Sequence, residues 1–130
     1  MGLISKRVWL IGLKGRRKVE ALFGTGSSHS LLNERIARAV GTPEGLPGPK
    51  VYQAAVGSVT AREGIFADVV LRGKRLTAGL KIVPDLTEEL ILGADFMQVW
   101  HIRLEPRRGR VILDPRALRL KAVGLRGPRL

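Results

Sequence analysis

The chain has no cysteine. Disulfides and thiolate metal sites are therefore excluded, and the composition fits a reducing compartment. Its two histidines, His29 and His101, are too few for an ordinary zinc site, so neither a metal nor another cofactor is expected. Aromatic residues make up only 5% of the chain, which gives little interleaving of rings with basic side chains for base stacking. No apolar run approaches the roughly 18 to 20 residues that span a bilayer, and the first thirteen residues are interrupted by Lys6 and Arg7. The opening MGLISK also fails the myristoylation pattern, because Lys6 stands where Ser or Thr is required. An unexported, cytoplasmic protein with no membrane contact is expected.

What is present is the composition of a folded domain. The 130 residues are 45% hydrophobic and 26% charged, enough for one core that buries about two thirds of the unfolded surface. The formal charge is +12, and the stretch from Arg116 to Leu130 carries five basic residues and no acid. Such a field attracts polyanions without specifying a fold or a chemistry. A solvated surface is the favoured reading, and a basic nucleic-acid-binding domain stands as an alternative.

Val8–Leu13 and Val19–Phe23 read as strands joined by a turn through KGRRK, with Gly15 available for positive φ. NERIARAVG reads as a two-turn helix: Asn33 can cap it, Leu32, Ile36 and Val40 share a face, and Gly41 can end it. Gly41–Lys50 holds three Pro and three Gly and is expected to be a surface loop. Val51–Val56 and Val59–Glu63 flank a tight turn at Gly57 and Ser58, and GIFADVVL and LTAGLKIVP follow as strands around RGKR. ELILGADFMQVW begins as a strand, breaks at Gly93 and continues as a short helix, and HIRLEPRRGRVILDP closes as a hairpin turning at RRG. Phe23-Gly24 and Leu92-Gly93 both end a strand in a glycine, which hints at a folded-over arrangement. Seven or eight short strands with one or two short helices indicate a small barrel or sandwich.

GTGSSH, residues 24–29, is the segment where chemistry would sit. As a phosphate cradle it fails, lacking the third glycine of the dinucleotide pattern and the Gly-Lys-Ser/Thr of the P-loop. As a serine nucleophile, Ser27 or Ser28 lacks the glycine-flanked elbow, and His29 reads more readily as a turn or packing residue than as a base.

Taken together, VEALFGTGSSHSLL, the hairpin VYQAAVGSVTAREG and LILGADFMQVW resemble the retropepsin-like, single-domain aspartic proteases over about Val8 to Pro115. Members carry Asp-Thr-Gly-Ser/Ala-Ser where this chain has Gly24, Thr25, Gly26, Ser27 and Ser28; only the aspartate is missing. The resemblance implies an all-β, small closed acid-protease-type barrel with a flap hairpin and one or two short helices. The domain is expected to span residues 1–115, followed by a basic tail, 116–130, that is either a dimer strand or a mobile arm. The resemblance also implies a homodimer acting on peptide or unfolded protein, with water activated between two aspartates, one per subunit. Thr25 would hydrogen-bond across the dimer and Gly26 would allow close backbone approach. Ser27 would contact substrate, and Ala55, Val56, Gly57 and Ser58 at the flap tip would pair with an extended peptide.

Gly24 would remove both carboxylates at once, so the chain as written is expected to be an inactive endopeptidase. Asp95 is the nearest acid by motif, but the resemblance gives it a supporting role; Asp68, Asp85 and Asp114 read as turn or solvated carboxylates. Gly24 is either a substitution that silences an active protease or the natural residue of a pseudoprotease that binds peptides or only dimerises. The close match of the flanking residues favours the first.

Overall fold

In the computed structural model, residues 3–24, 26–54 and 57–116 are described. Expectations for Thr25, Ala55, Val56 and nearly all of the tail fall outside these residues. The elements in chain order are β1 (Leu3–Ile11), β2 (Arg16–Gly24), β3 (Leu31–Asn33), α1 (Glu34–Val40), β4 (Glu44–Ala54) and β5 (Gly57–Leu71). They continue with β6 (Lys74–Val83), β7 (Leu90–Leu92), α2 (Ala94–Val99), β8 (Ile102–Glu105) and β9 (Arg110–Leu113). The fold is mostly β, as expected. None of the helices among the described residues is long and apolar enough to cross a membrane.

Seven strands form one sheet in the order β1-β2-β7-β3-β6-β5-β4, and β1 also pairs with β5. That last pairing bends the sheet round into a ring, with β4 attached outside it. The 15-residue strand β5 makes the ring possible. β6 pairs along its Glu63–Leu71 stretch, so the opposite edge is shared: β4 takes Gly57–Gly64 and β1 takes Asp68–Val70. Inside lies a core that includes Val8, Leu10, Val19, Ala21, Phe23, Val69, Leu80 and Ile82. In β2 the alternation is direct: Val19, Ala21 and Phe23 are buried while Lys18 and Glu20 are exposed. Each large side chain fully buried there contributes about 1.5–3 kcal/mol.

Four local expectations are corrected. The Gly41–Lys50 segment is exposed but not wholly a loop, because β4 begins at Glu44 and pairs Gly45 with Glu63 and Lys50 with Ala61. Five steps on β4 answer two on β5, so the intervening residues bulge outward, and Gly48 takes φ +89° there. Pro47 and Pro49 are tolerated because β4 is an edge strand with no partner on its far side among the described residues. The tight turn is not at Gly57 and Ser58, since Gly57 pairs with Ala54 and Ser58 with Gln53 in the β4–β5 ladder. Gly57 instead opens β5 with φ +112°. Val59–Glu63 and GIFADVVL are one strand, since Gly64 sits in a ladder where a Cβ would come within 3.2 Å of the Leu80 carbonyl oxygen. Gly15 does not take a positive φ, and the tight position in that turn is Gly12, where a Cβ would lie 2.3 Å from the Val40 carbonyl oxygen.

Other local readings hold. The β5–β6 loop is Arg72-Gly73, both at positive φ (50° and 76°), the conformation that matches strand twist in two-residue hairpins. Asn33 caps α1 by accepting from the Arg35 and Ile36 amides, and Gly41 donates to the Ala37 carbonyl at its end. Arg38 pairs with Glu34 at 2.9 Å and Glu63 at 2.8 Å, joining α1 to β5. The hydrogen bond that Arg38 donates to Glu34, with the nearby Glu63 charge, raises the Arg38 pKa above its ordinary value.

Asn33 also donates to the Leu86 carbonyl oxygen at 2.9 Å, so it holds both the helix start and the segment before β7. Asn33→Ala is expected to lower the unfolding free energy by about 1–2 kcal/mol. Urea denaturation followed by circular dichroism measures this; an unchanged midpoint would refute the capping role.

Candidate active site

The expected folded-over arrangement is present. Ala21, Leu22 and Phe23 of β2 pair in parallel with Leu90, Ile91 and Leu92 of β7, so both strands run out into a glycine on the same side. Gly24 is buried and still in the ladder, opposite Leu3 of β1. A strand conformation is open to any residue, so the backbone there makes no demand for glycine. Gly93 is different: a Cβ would lie 2.4 Å from the Ser27 carbonyl oxygen and 2.7 Å from that of His29. One glycine is required by close approach; the other is not required by its backbone.

The segment after Gly24 is clamped onto the start of α2. Ala94 and Asp95 donate backbone N–H groups to the carbonyl oxygens of Ser27 (2.8 Å) and Ser28 (3.1 Å). The Ser30 hydroxyl donates to Asp95 Oδ1 at 2.7 Å and accepts the Gly93 N–H at 3.0 Å, while the Ser30 N–H donates to Asp95 Oδ2 at 3.2 Å. Asp95 Oδ1 also accepts the Phe96 N–H at 2.7 Å. Both oxygens of this carboxylate are thus engaged in holding backbone. Asp68 accepts from Arg75 and Thr77, Asp114 accepts from the Arg116 amide, and Asp85 is exposed in the turn after β6. None of the four is left as an obvious stand-in for a carboxylate at position 24.

Side chains alternate along β2, so a residue at 24 shares the face of Leu22 and not that of Phe23. Leu22 packs against a second apolar cluster of Leu31, Ala61, Val83, Leu86 and Ile91. Tyr52 and Ala54 of β4 and Val59 of β5 rest on the same cluster, so the β4–β5 hairpin leans over the face to which position 24 belongs. His29 completes the link, its ring centroid 4.4 Å from that of Tyr52.

Among the expected site residues, Gly26 is exposed in the turn and Ser27 is 1% exposed. Gly57 and Ser58 are exposed at the hairpin end, where Gln53 Nε2 donates to Ser58 Oγ at 2.7 Å. Thr25, Ala55 and Val56 lie outside the described residues. Ser28 Oγ and His29 Nδ1 are 3.2 Å apart, but the ring rests on Tyr52 and no hydrogen bond to a carboxylate orients it among the described residues. Two features had no sequence signal: the bridging role of Ser30, which looks like one more small polar turn residue, and the Tyr52–His29 contact across 23 residues of chain. A cavity of about 870 Å³ lies elsewhere, between α2 and the β8–β9 hairpin, lined by Met97, Ile102, Leu104 and Leu113 among others.

The sequence profile described as "gag-polyprotein putative aspartyl protease" matches residues 11–99, from the end of β1 to the end of α2. The chain belongs to this aspartyl protease family. No curated protein matches it. Among solved structures, the retroviral protease-like domain of Ddi1 from Leishmania major aligns with a TM-score of 0.65 at 17% identity, covering 88% of this chain and 90% of that one. EIAV protease, solved with the inhibitor HBY-793, aligns with a TM-score of 0.55 at 17% identity, covering 72% of this chain and 84% of that one. At such identity the likeness establishes a retropepsin-like fold, in agreement with the family match.

For this aspartyl protease scaffold the Ser30 bridge makes a sharp prediction. Ser30→Ala leaves the buried Gly93 N–H without its acceptor and removes one of the two donors to Asp95 Oδ1, and should cost about 2–3 kcal/mol of stability. Gly93→Ala should cost at least as much, because two carbonyl oxygens stand in the way of its methyl group. Urea unfolding of both variants tests this, and losses below about 0.5 kcal/mol, the range of neutral surface changes, would sink it.

Proposed function

We propose that the chain is an aspartic-type endopeptidase domain that works as a homodimer and is catalytically silent as written, because Gly24 stands where each subunit would supply its aspartate. The observation that carries the reading is the clamped 26–30 loop beside a glycine in ordinary strand conformation. In sequence, Thr25, Gly26, Ser27 and Ser28 keep the motif of the resemblance, and Gly24 is the position that departs from it. The domain comprises residues 1–115, with 116–130 as a basic C-terminal tail.

With an aspartate at position 24 of both subunits, the two carboxylates would share one proton, since close like charges cannot both ionise cheaply. The ionised member takes a proton from water while the protonated one donates to the peptide carbonyl oxygen. Thr25 and Gly26 join the two loops. The β4–β5 hairpin acts as the flap, its Ala55–Ser58 backbone pairing with an extended peptide over the apolar floor that includes Leu22 and Ile91. A second reading, a natural pseudoprotease that binds peptide through the same flap and floor, shares all of this except the history of Gly24.

Gly24→Asp is expected to raise cleavage of an unfolded protein by at least about 10³-fold over the chain as written. The rate should be bell-shaped in pH, falling on the acid side as both carboxylates are protonated and on the alkaline side as both ionise. Mixing in excess unsubstituted chain should suppress the activity by forming dimers with one aspartate. A folded, dimeric Gly24→Asp protein without cleavage would overturn the silenced-enzyme reading in favour of the pseudoprotease.

A further inference from the structure

Peptide hydrolysis leaves one feature of the molecule unused. Residues 1–33 contain six basic side chains and a single acid, Glu20. The fold brings two of them, Lys6 and Arg7 of β1, to a cleft of about 260 Å³ where they meet Arg72 of the β5–β6 turn and Arg110 of β9. The rest of the lining is Val8, Val70, Leu71, Val111 and Leu113, so four cations and no acid face one space. Acids do stand at its margins, with Glu20 at 3.9 Å from Arg7 and Glu105 at 3.7 Å from Arg110; both contacts are long, the first is exposed, and the buried Glu105 Oε1 makes no hydrogen bond among the described residues, so each offsets its cation only in part. Arg72 is held in place by donation to the Val111 carbonyl oxygen at 3.1 Å, a bond that fixes the guanidinium without cancelling its charge.

An aromatic ring adjoins this cleft. Trp9 follows Arg7 by two residues on the same face of β1, opposite Val70 on one side and Lys18 on the other. It is 37% exposed, with the Arg16 guanidinium 4.9 Å and the Lys18 ammonium 5.7 Å from its ring. The composition alone argued against aromatic and basic groups being interleaved; the β1–β2 register interleaves them. The surface is separate from position 24, since Arg7 lies four residues along β1 from Leu3, the partner of Gly24, or about 13 Å at the usual strand rise.

We propose that this face binds single-stranded nucleic acid. Phosphates occupy the cleft against Lys6, Arg7, Arg72 and Arg110, and a base stacks on Trp9 while Arg16 and Lys18 turn from the ring to the adjoining phosphates. An acidic peptide or a sulfated polysaccharide would satisfy the cations but would have no use for the indole face, and that difference decides between them.

The test titrates the full chain carrying Trp100→Phe, so that Trp9 reports alone, with an end-labelled oligothymidylate of about 12 nucleotides, within the site sizes of single-strand binders, and the anisotropy of the label gives the affinity of every variant, those without Trp9 included. Quenching of Trp9 and binding that weakens with salt are expected, with a logarithmic slope of about 0.7 per phosphate contacted. Arg72→Glu with Arg110→Glu should weaken binding at least tenfold and make the slope shallower by about 1.4, two contacts' worth. Trp9→Leu should weaken it about tenfold at unchanged slope, and Trp9→Phe, which keeps a stacking face and guards against a misfolded leucine variant, should retain most of the affinity. Lys50→Glu with Arg62→Glu, on the β4–β5 hairpin, should change it less than twofold. Absence of binding at about 50 mM salt, an equal loss in the hairpin variant, or equal competition by heparin with no dependence on Trp9 would each overturn the proposal.

Discussion

The Ser30 hydroxyl and the Asp95 carboxylate join two chain segments that are 65 residues apart in sequence. Ser30 Oγ donates to the carboxylate and accepts from Gly93, so a single oxygen fixes the end of β7 against the loop that leaves β2. The close approach this needs is possible because Gly93 has no side chain to strike the Ser27 and His29 carbonyls. The parallel β2–β7 pairing runs into this clamp, and the ring of strands has that pairing as one of its links. Asp95 therefore supports the loop with both oxygens engaged, which is why it does not stand in for an acid at position 24.

This division of labour between neighbouring acids and glycines gives Gly24 its meaning. Gly57, Gly73 and Gly109 occupy positive φ, and Gly12 and Gly93 sit against backbone carbonyls. Gly24 is a strand residue paired with Leu3. A glycine in a strand generally weakens it, by entropy and by the lack of a packing side chain. In the proposed reading, what position 24 has lost is its chemistry, and the loop geometry around it does not depend on that chemistry.

Much of the architecture was legible from local pattern. The α1 cap at Asn33, the break at Gly93, the α2 helix and the hairpin around RRG all follow from short-range rules of capping, turn chemistry and alternation. The errors also share a cause. Pro47 and Pro49 spoke for a loop because a ladder position cannot use a residue without an N–H, but β4 is an edge with nothing on its far side to bond among the described residues. Gly57-Ser58 looked like the turn because composition marks a turn only to within a residue or two, whereas the register of Ala54 with Gly57 and Gln53 with Ser58 puts both in the ladder. Val59–Glu63 and GIFADVVL read as two strands, but Gly64 lies in a continuous ladder and permits an approach to the Leu80 carbonyl.

The sequence by itself determined the family and the all-β class, and it carries the proposal that an aspartate belongs at position 24, because each of these resides in ordered motifs of contiguous residues. Only the tertiary structure decided that Ser30 holds the loop and that Tyr52 and His29 connect it to the hairpin. The same is true of the gathering of Lys6, Arg7, Arg72 and Arg110 around one cleft beside Trp9. Each of those arrangements joins residues far apart along the chain, and strand register, which sets them side by side, is fixed by the packing of the whole ring and by no local segment.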